Sequence, residues 1–466
     1  MPKTWAISGA DLHLEIRGKR VRAAVEQALR DAVQGGRLPP GTRLPPTRTL
    51  ARDLGLARNT VAEAYAQLVA EGWLTARSGS GTWVAERAAA RRRRTLPGPD
   101  PTHTPRYDLS PGSPDVSSFP RTTWLAAARR ALATAPRDAF GYGDPRGLPQ
   151  LRHELAGYLA RTRGVRTDAE HLVICAGFVE GLALLCRVLH ARGVDTFAIE
   201  EDGHQLHRDV VLAHRLRVRA VPVDAAGARV DLFGAAGAAL LTPAHQYPHG
   251  VPLEPARRTA ALRWAVAQDA LLIEDDYDGE FRFDRQSIGA LQALAPEQIV
   301  YAGTASKSLA PGVRLGWLAV PSRLLDDVVA AKRLTLGQHG TTDQLTFAEF
   351  LRSGAYDRHV RSRRLGYRRR REYLLRALQR HAPAVRVHGV AAGLHTMFEL
   401  PAGTDEAAVI ERAAQRGVAV SGLTSHRLSR RAVPYPALVV SFGTPPEHGF
   451  STAVARLCAV LAEFTG

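Results

Sequence analysis

Lysine is rare in this chain: 58 arginines stand against four lysines, Lys3, Lys19, Lys307 and Lys332. An arginine stays charged in any protein setting, whereas a lysine amine can shed its proton and condense with an aldehyde to a Schiff base. Lys307 has the neighbours for that chemistry. It lies in Thr304-Ala-Ser306-Lys307-Ser-Leu-Ala-Pro-Gly-Val-Arg314, where the hydroxyls of Thr304 and Ser306 and the guanidinium of Arg314 would serve a phosphate dianion. Upstream, the apolar run Ala270-Leu-Leu-Ile273 ends in Glu274, Asp275, Asp276 and Tyr277. It reads as a buried parallel strand that delivers carboxylates at its C-terminal edge. Asp275 is suited to charge a pyridine nitrogen and Tyr277 to donate to a ring 3-oxygen. Taken singly, a lysine in a Gly/Pro loop is a surface residue, and an acidic cluster is a solvated turn or a divalent-metal site. Taken together, these groups describe a pocket for pyridoxal 5'-phosphate.

The elements needed to hold such a pocket follow in an order that resembles the fold-type I aminotransferases, over residues 107–466. Phe140-Gly-Tyr142-Gly-Asp-Pro-Arg-Gly147 is similar to the segment whose tyrosine reaches a cofactor phosphate across a dimer interface, which implies that Tyr142 serves a partner's site. Leu172-Val-Ile-Cys-Ala-Gly177-Phe178 resembles the strand, turn and helix start that cradle the phosphate. A helix N-terminus offers free N–H groups and a positive dipole end, and a glycine lets the anion come close. In Ile199-Glu-Glu-Asp202-Gly203-His204, Asp202 stands where the family has proline, and the resemblance implies that His204 stacks on the ring. Thr242-Pro-Ala-His245-Gln246-Tyr247-Pro248-His-Gly250 takes the place of an Asn-Pro-x-Gly turn, with Tyr247 where the family's asparagine meets the 3-oxygen. His245 suits either a function or a satisfied loop position. One expected group is missing. The family's arginine for the substrate α-carboxylate falls at Val439, in Pro436-Ala-Leu-Val439-Val440-Ser441-Phe442, while Arg427, Arg430 and Arg431 lie on the preceding loop and could compensate. The resemblance therefore implies sensing, with little or no transaminase turnover.

The amino end carries a different chemistry. Apolar residues at Val21, Ala24, Val25, Ala28, Leu29, Ala32 and Val33 mark a helix. Thr47 reads as the cap of a short helix ending at Gly55, and a tight turn then leads into a second helix from Arg58 to Gly72. Two short helices so joined make a helix-turn-helix, whose second helix puts its first residues, Arg58, Asn59 and Thr60, at the base edges of a major groove. Trp73 to Val84 reads as a β-hairpin wing with Arg77 and Gly79 near its tip, and Arg43 and Arg48 precede and open the first helix. This block, residues 12–85, resembles the GntR-type winged helix. One departure is Ala57, where that family has a serine cap for the recognition helix. The fusion of the two parts resembles the MocR/GabR regulators, with the PdxR branch as a candidate. It implies a homodimer on a DNA operator that senses pyridoxal phosphate itself or an amino compound. The competing reading is a working aminotransferase with an accessory DNA-binding domain.

Composition fits an α/β protein with a DNA-binding part. The net charge is +17; residues 1–106 carry 18 basic and nine acidic side chains, against 44 and 36 in the rest, so the first part is the more basic by density. Residues 86–106, with Arg91 to Arg94 and a run of prolines, read as a linker, either a solvated tether or a source of sequence-blind DNA affinity. Cys175, Cys186 and Cys458 suit neither a disulfide framework nor a zinc site and read as core thiols. The arginine cluster from Arg361 to Arg371 reads as the exposed face of a long helix. No apolar run approaches a membrane span and no signal peptide is visible, so a cytoplasmic location is expected.

Overall fold

The computed structural model describes residues 4–7, 10–13, 20–77, 80–86, 105–283, 288–335, 337–429, 433 and 435–465. Gly79, most of the Arg/Pro-rich stretch, Arg430 and Arg431 lie outside the described residues. The chain divides into two units, residues 1–103 and 104–466.

The first unit opens with an antiparallel pair, β1 (Thr4–Ile7) and β2 (Ala10–His13). Then come α1 (Val21–Gln34), β3 (Arg43–Leu44), α2 (Thr47–Leu54), α3 (Arg58–Ala70), β4 (Leu74–Arg77) and β5 (Gly81–Val84). The apolar stripe of α1 buries Val25, Leu29, Ala32 and Val33 against Leu50 of α2 and Val61, Tyr65 and Leu68 of α3, the expected result of a 3.6-residue period. The Tyr65 hydroxyl donates to the Pro45 carbonyl at 3.1 Å, tying α3 to the entry of α2. The short strands form a sheet in the order β3-β5-β4. Thr47 does not cap α2. It is the first helical residue, Pro46 holds the cap position at φ −53°, and no side chain bonds the free N–H groups there. The proline ring fixes the entering backbone in place of a cap. At the other end Gly55, at φ +67°, closes the helix in the left-handed conformation that glycine adopts freely.

The second unit is built on a mixed sheet. After β6 (Tyr107–Asp108), α4 (Arg121–Thr134) and α5 (Pro149–Arg163) come β7 (Leu172–Cys175), α6 (Phe178–Ala191), β8 (Thr196–Glu200), α7 (Gln205–Ala213) and β9 (Arg217–Val221). A small hairpin, β10 (Val223–Asp224) and β11 (Gly227–Ala228), precedes β12 (Ala238–Leu241), α8 (Pro255–Ala267), β13 (Leu271–Asp276), β14 (Ile299–Thr304) and β15 (Gly316–Ala319). The sheet runs β7-β15-β14-β13-β12-β8-β9, parallel except at β15, which is antiparallel to both neighbours. Strands β7, β12, β13, β14 and β15 are buried throughout, as a sheet covered on both faces requires. Helices α9 (Ser322–Arg333), α10 (Thr341–Arg352) and α11 (Ala355–His381) lead to a four-stranded antiparallel sheet. That sheet uses β16 (Arg386–His388), β17 (His395–Glu399), β19 (Ser421–Gly422) and β20 (Ala437–Ser441) in the order β16-β17-β20-β19. Between them lie α12 (Glu406–Gln415) and β18 (Val418–Ala419), which pairs with β6, and α13 (Glu447–Thr465) closes the chain.

All three cysteines are buried and free. The α11 arginine cluster is not uniformly an exposed face. Arg370 is 4% exposed and bonds the Asp115 carboxylate at 3.2 Å, the Glu447 carboxylate at 2.7 Å and the Pro445 carbonyl at 2.7 Å, so it is a buried strut. Helical period explains it: Arg370 shares an inward stripe with Tyr367 and Leu374, while Arg361, Arg364, Arg368 and Arg369 face outward.

Candidate functional site

The C-terminal ends of the parallel strands and the turns after them enclose a cavity of about 190 Å³. Asp275 reaches it from the end of β13, Thr304, Ser306 and Lys307 from the turn after β14, and Gly177 and Phe178 from the start of α6. Arg314, His204, Tyr247 and Tyr277 complete the set. Ten of the eleven residues assigned to the cofactor from sequence thus share one cavity, because a parallel sheet gathers loop residues far apart in sequence at one edge. The eleventh, Tyr142, is fully exposed and lies outside this cavity.

The charges are arranged for an aldehyde-bearing pyridine phosphate. Burial holds the Lys307 amine below its ordinary pKa, opposed by Asp275 and Asp278, and the amine donates to the Gly112 carbonyl. Burial raises Asp275 well above the carboxylate range, opposed by Lys307, and its Oδ1 has no partner. A buried carboxylate oxygen with nothing to bond calls for a donor, and a protonated pyridine nitrogen is one. At the opposite end Gly177 stands at φ +102° as the residue before α6, and a Cβ there would lie 3.6 Å from the Arg314 guanidinium. Free helix N–H groups and a guanidinium therefore face the same small space, with the Thr304 and Ser306 hydroxyls bonded to each other at 2.9 Å. Arg314 itself sits at φ +53°, a conformation that costs a residue with a Cβ about 1–2 kcal/mol and aims its side chain there.

Other assignments look different in three dimensions. The Tyr277 hydroxyl contacts the His245 carbonyl at 2.9 Å and His245 Nδ1 at 3.1 Å, so its proton is already engaged at the cavity wall. Tyr247 contacts His426 Nδ1 at 3.3 Å. His204 stacks on His207, with centroids 5.0 Å apart, and presents a flat face to the cavity. Asp202 is buried, 2.9 Å from His249 and 3.4 Å from Arg427. No motif marked the Pro111-Gly-Ser113 arm, His207, His395 or Ser441, which also line the cavity. Only their turn chemistry or strand alternation was visible, and neither marks a site.

The strand on which the family's carboxylate arginine is expected carries an apolar residue at that position. On β20, Leu438 and Val440 face the main core, so Val439 lies on the opposite face with Ser441, which reaches the cavity. Val439 is fully buried and pairs with Met397 and Ser421. Arg427 lies 3.5 Å from Glu201 and 3.4 Å from Asp202, which set two carboxylates against its charge, and it is not among the residues lining the cavity. Burial holds the imidazoles around this end neutral, lowering His207 to about 3, His426 to about 4 and His395 well below its usual range. Among the described residues lining the cavity, Lys307 and Arg314 are the only lysine and arginine.

In the first unit Arg58 and Asn59 are exposed and Thr60 half-buried on the first turn of α3, free to meet a groove. Ala57 precedes them with no capping bond. Arg43 and Arg77, both exposed, lie over the wing's Trp83 ring, 5.6 and 5.3 Å from its centroid, and Arg48 is exposed on α2.

The profile of the family "Aminotransferase class I and II" matches residues 107–436, and that of "Bacterial regulatory proteins, gntR family" matches residues 21–84. The HTH-type pyridoxine biosynthesis transcriptional regulator PdxR of Corynebacterium glutamicum is 35% identical over 86% of this chain and 87% of its own. The probable rhizopine catabolism regulatory protein MocR of Rhizobium meliloti is 31% identical over 91% and 87%. The HTH-type transcriptional regulator TauR of Rhodobacter capsulatus is 32% identical over 85% and 87%. Among solved structures, an archaeal alanine:glyoxylate aminotransferase superposes with a TM-score of 0.69 at 27% identity, over 77% of this chain and 91% of that one. No helix among the described residues is long and apolar enough to cross a membrane.

Proposed function

Because this chain belongs to the MocR-type transcriptional regulators, a GntR winged helix joined to an aminotransferase class I/II domain, we propose that its large unit is a receptor for pyridoxal phosphate and not a transaminase. The observation that carries this reading is a cavity with residues for every part of the cofactor and, among the described residues that line it, no lysine or arginine beyond Lys307 and Arg314 to meet an α-carboxylate. Pyridoxal phosphate supplies an aldehyde that condenses with an amine and a ring that withdraws electrons. The rest is done by this chain. Lys307 is the amine, Asp275 the pyridine partner, and Arg314, the Gly177 turn, Thr304 and Ser306 the phosphate donors. His204 offers the stacking face, Tyr247 and Tyr277 the phenols, and Tyr142 completes the partner's site in a homodimer. A free α-amino acid entering this cavity would leave its carboxylate without a paired cation beside the neutral imidazoles of His207 and His395, unfavourable by several kcal/mol. The name of the pyridoxine biosynthesis regulator at 35% identity points the same way.

Cofactor occupancy would change the spacing or angle of the two winged helices of a dimer, and affinity for a two-half-site operator is sensitive to that spacing. Residues 12–85 would bind the DNA, 86–106 tether them and 107–466 sense, in the cytoplasm where operator and metabolite meet. The test is recovery of bound fragments from sheared genomic DNA with and without pyridoxal phosphate. A fragment set whose affinity shifts several-fold with the cofactor is expected. An unchanged affinity, or a shift produced only by an amine, would overturn the proposal.

A further inference from the structure

At the cavity wall, three buried side chains from separate segments meet: His245 and Asp278 from turns and His395 from the start of β17, at 3%, 3% and 4% exposure. The two imidazole rings lie 5.2 Å apart at 46°. His245 Nδ1 is 2.9 Å from the Asp278 carboxylate, and His395 is bonded by the Pro248 carbonyl. The Nε2 atom of each ring is buried with no hydrogen-bond partner. His395, donating to the Pro248 carbonyl, carries a lone pair on its buried Nε2. A buried imidazole with one nitrogen on a carbonyl and a free lone pair on the other is the arrangement found at histidine-ligated metals, and His245 meets Asp278 through Nδ1, where a cation in place of the shared proton would take both as ligands. The surroundings keep the space clear. Gly393, at φ +70°, has no Cβ where one would stand 2.3 Å from His245 and 2.5 Å from Asp278, and Gly250, at φ +72°, borders His245 Nε2.

We propose that His245, Asp278 and His395 form a binding site for a divalent transition-metal ion of the zinc class, adjoining the cofactor cavity. One donor atom from each residue lies within 4.8 Å of the others. Metal–nitrogen bonds of about 2.0–2.1 Å span donors up to about 4 Å apart, so about 1 Å of side-chain movement closes the set. Two imidazoles and a carboxylate suit zinc, cobalt or nickel better than magnesium or calcium, which prefer oxygen cages. Three protein ligands leave a coordination position open. The ion would also act on the receptor, because Tyr277 contacts His245 and His395 lines the cavity. Metal occupancy would thus be a second input to the same wall.

The test uses the full-length, tag-free protein, stripped with a chelator and titrated with Co²⁺ in the absence of pyridoxal phosphate. Visible d–d bands with the intensity of a four- or five-coordinate site, saturating at one equivalent per chain and displaced by Zn²⁺, are expected. Asp278→Asn should weaken binding roughly 10-fold or more, and His395→Gln should abolish the bands while circular dichroism stays unchanged. Wild-type protein without these bands, or bands equally strong in both variants, would overturn the proposal. A failed cofactor titration with normal cobalt bands would count against the pyridoxal phosphate reading alone.

Discussion

At the residue scale, two lysines of the large unit separate cleanly. Lys332 is fully buried and its ammonium donates to the Ile174 carbonyl at 2.5 Å, with Glu180 at 3.9 Å, so it is a structural cation. Lys307 faces the cavity with a pKa lowered by burial. Lowering a lysine pKa enlarges the neutral, nucleophilic fraction at a given pH, so capture of pyridoxal phosphate should quicken as pH rises and level off below the ordinary lysine value of 10.5. Stopped-flow absorbance across pH measures this; a plateau at or above 10.5 would mean an unperturbed amine. Borohydride reduction followed by peptide mapping should place the label on Lys307, and Lys307→Ala should carry none. The carboxylate end allows an independent check. Saturating glutamate, alanine and 4-aminobutyrate, each mixed with cofactor-loaded protein, should leave its spectrum nearly unchanged over minutes. Rapid bleaching by any of them would show a carboxylate site that Val439 and Arg427 do not account for.

At the element scale, the recognition helix begins without the cap its position invites. Ala57 is extended, at φ −67° and ψ 139°, the geometry in which a serine hydroxyl bonds the free N–H groups of the first turn. Ala57→Ser should therefore stabilise the first unit by about 1 kcal/mol, read as a higher midpoint in denaturant with an unchanged slope. On the proposed DNA binding, the first turn of α3 would meet bases and the wing would meet phosphates. Arg58→Ala should weaken operator binding and relax preference at one base position by about 1–3 kcal/mol. Arg43→Ala or Arg77→Ala should instead weaken all sequences alike and flatten the salt dependence, since cations resting on Trp83 suit phosphates. Fluorescence anisotropy on matched and mismatched duplexes over a salt series separates the two. Equal, salt-independent losses at Arg58 and Arg77 would contradict the division.

At the scale of the whole molecule, the prediction concerns Tyr142, fully exposed on a single chain. If it serves a partner's cofactor, Tyr142→Phe should weaken pyridoxal phosphate binding, and mixing it with Lys307→Ala should restore less than half of the wild-type sites. Each mixed dimer places both defects in one site and leaves the other intact. Cofactor titration of the mixture against the parent variants reads this out, and a Tyr142→Phe chain with wild-type affinity would remove the tyrosine from the site.

The sequence alone was enough for whatever follows from local pattern. The helical stripe of Val25 to Val33, the apolar run that becomes β13 and the positions of Lys307, Asp275 and Gly177 are all written in short windows, because backbone period and turn chemistry are local properties. It misled where a local rule met a stronger neighbour, as when Pro46 took the cap position from Thr47. It also could not separate Arg370 from the exposed arginines beside it, since only packing against Asp115 and Glu447 makes it a strut. Contacts between distant segments that no motif or family resemblance implied were beyond it. His245, Asp278 and His395 have no ligand spacing along the chain, and Arg427 was a spare cation until the fold set Glu201 and Asp202 against it. Which groups meet in a buried site depends on where a parallel sheet and a second sheet bring their loops together, and that is decided only when the whole unit packs.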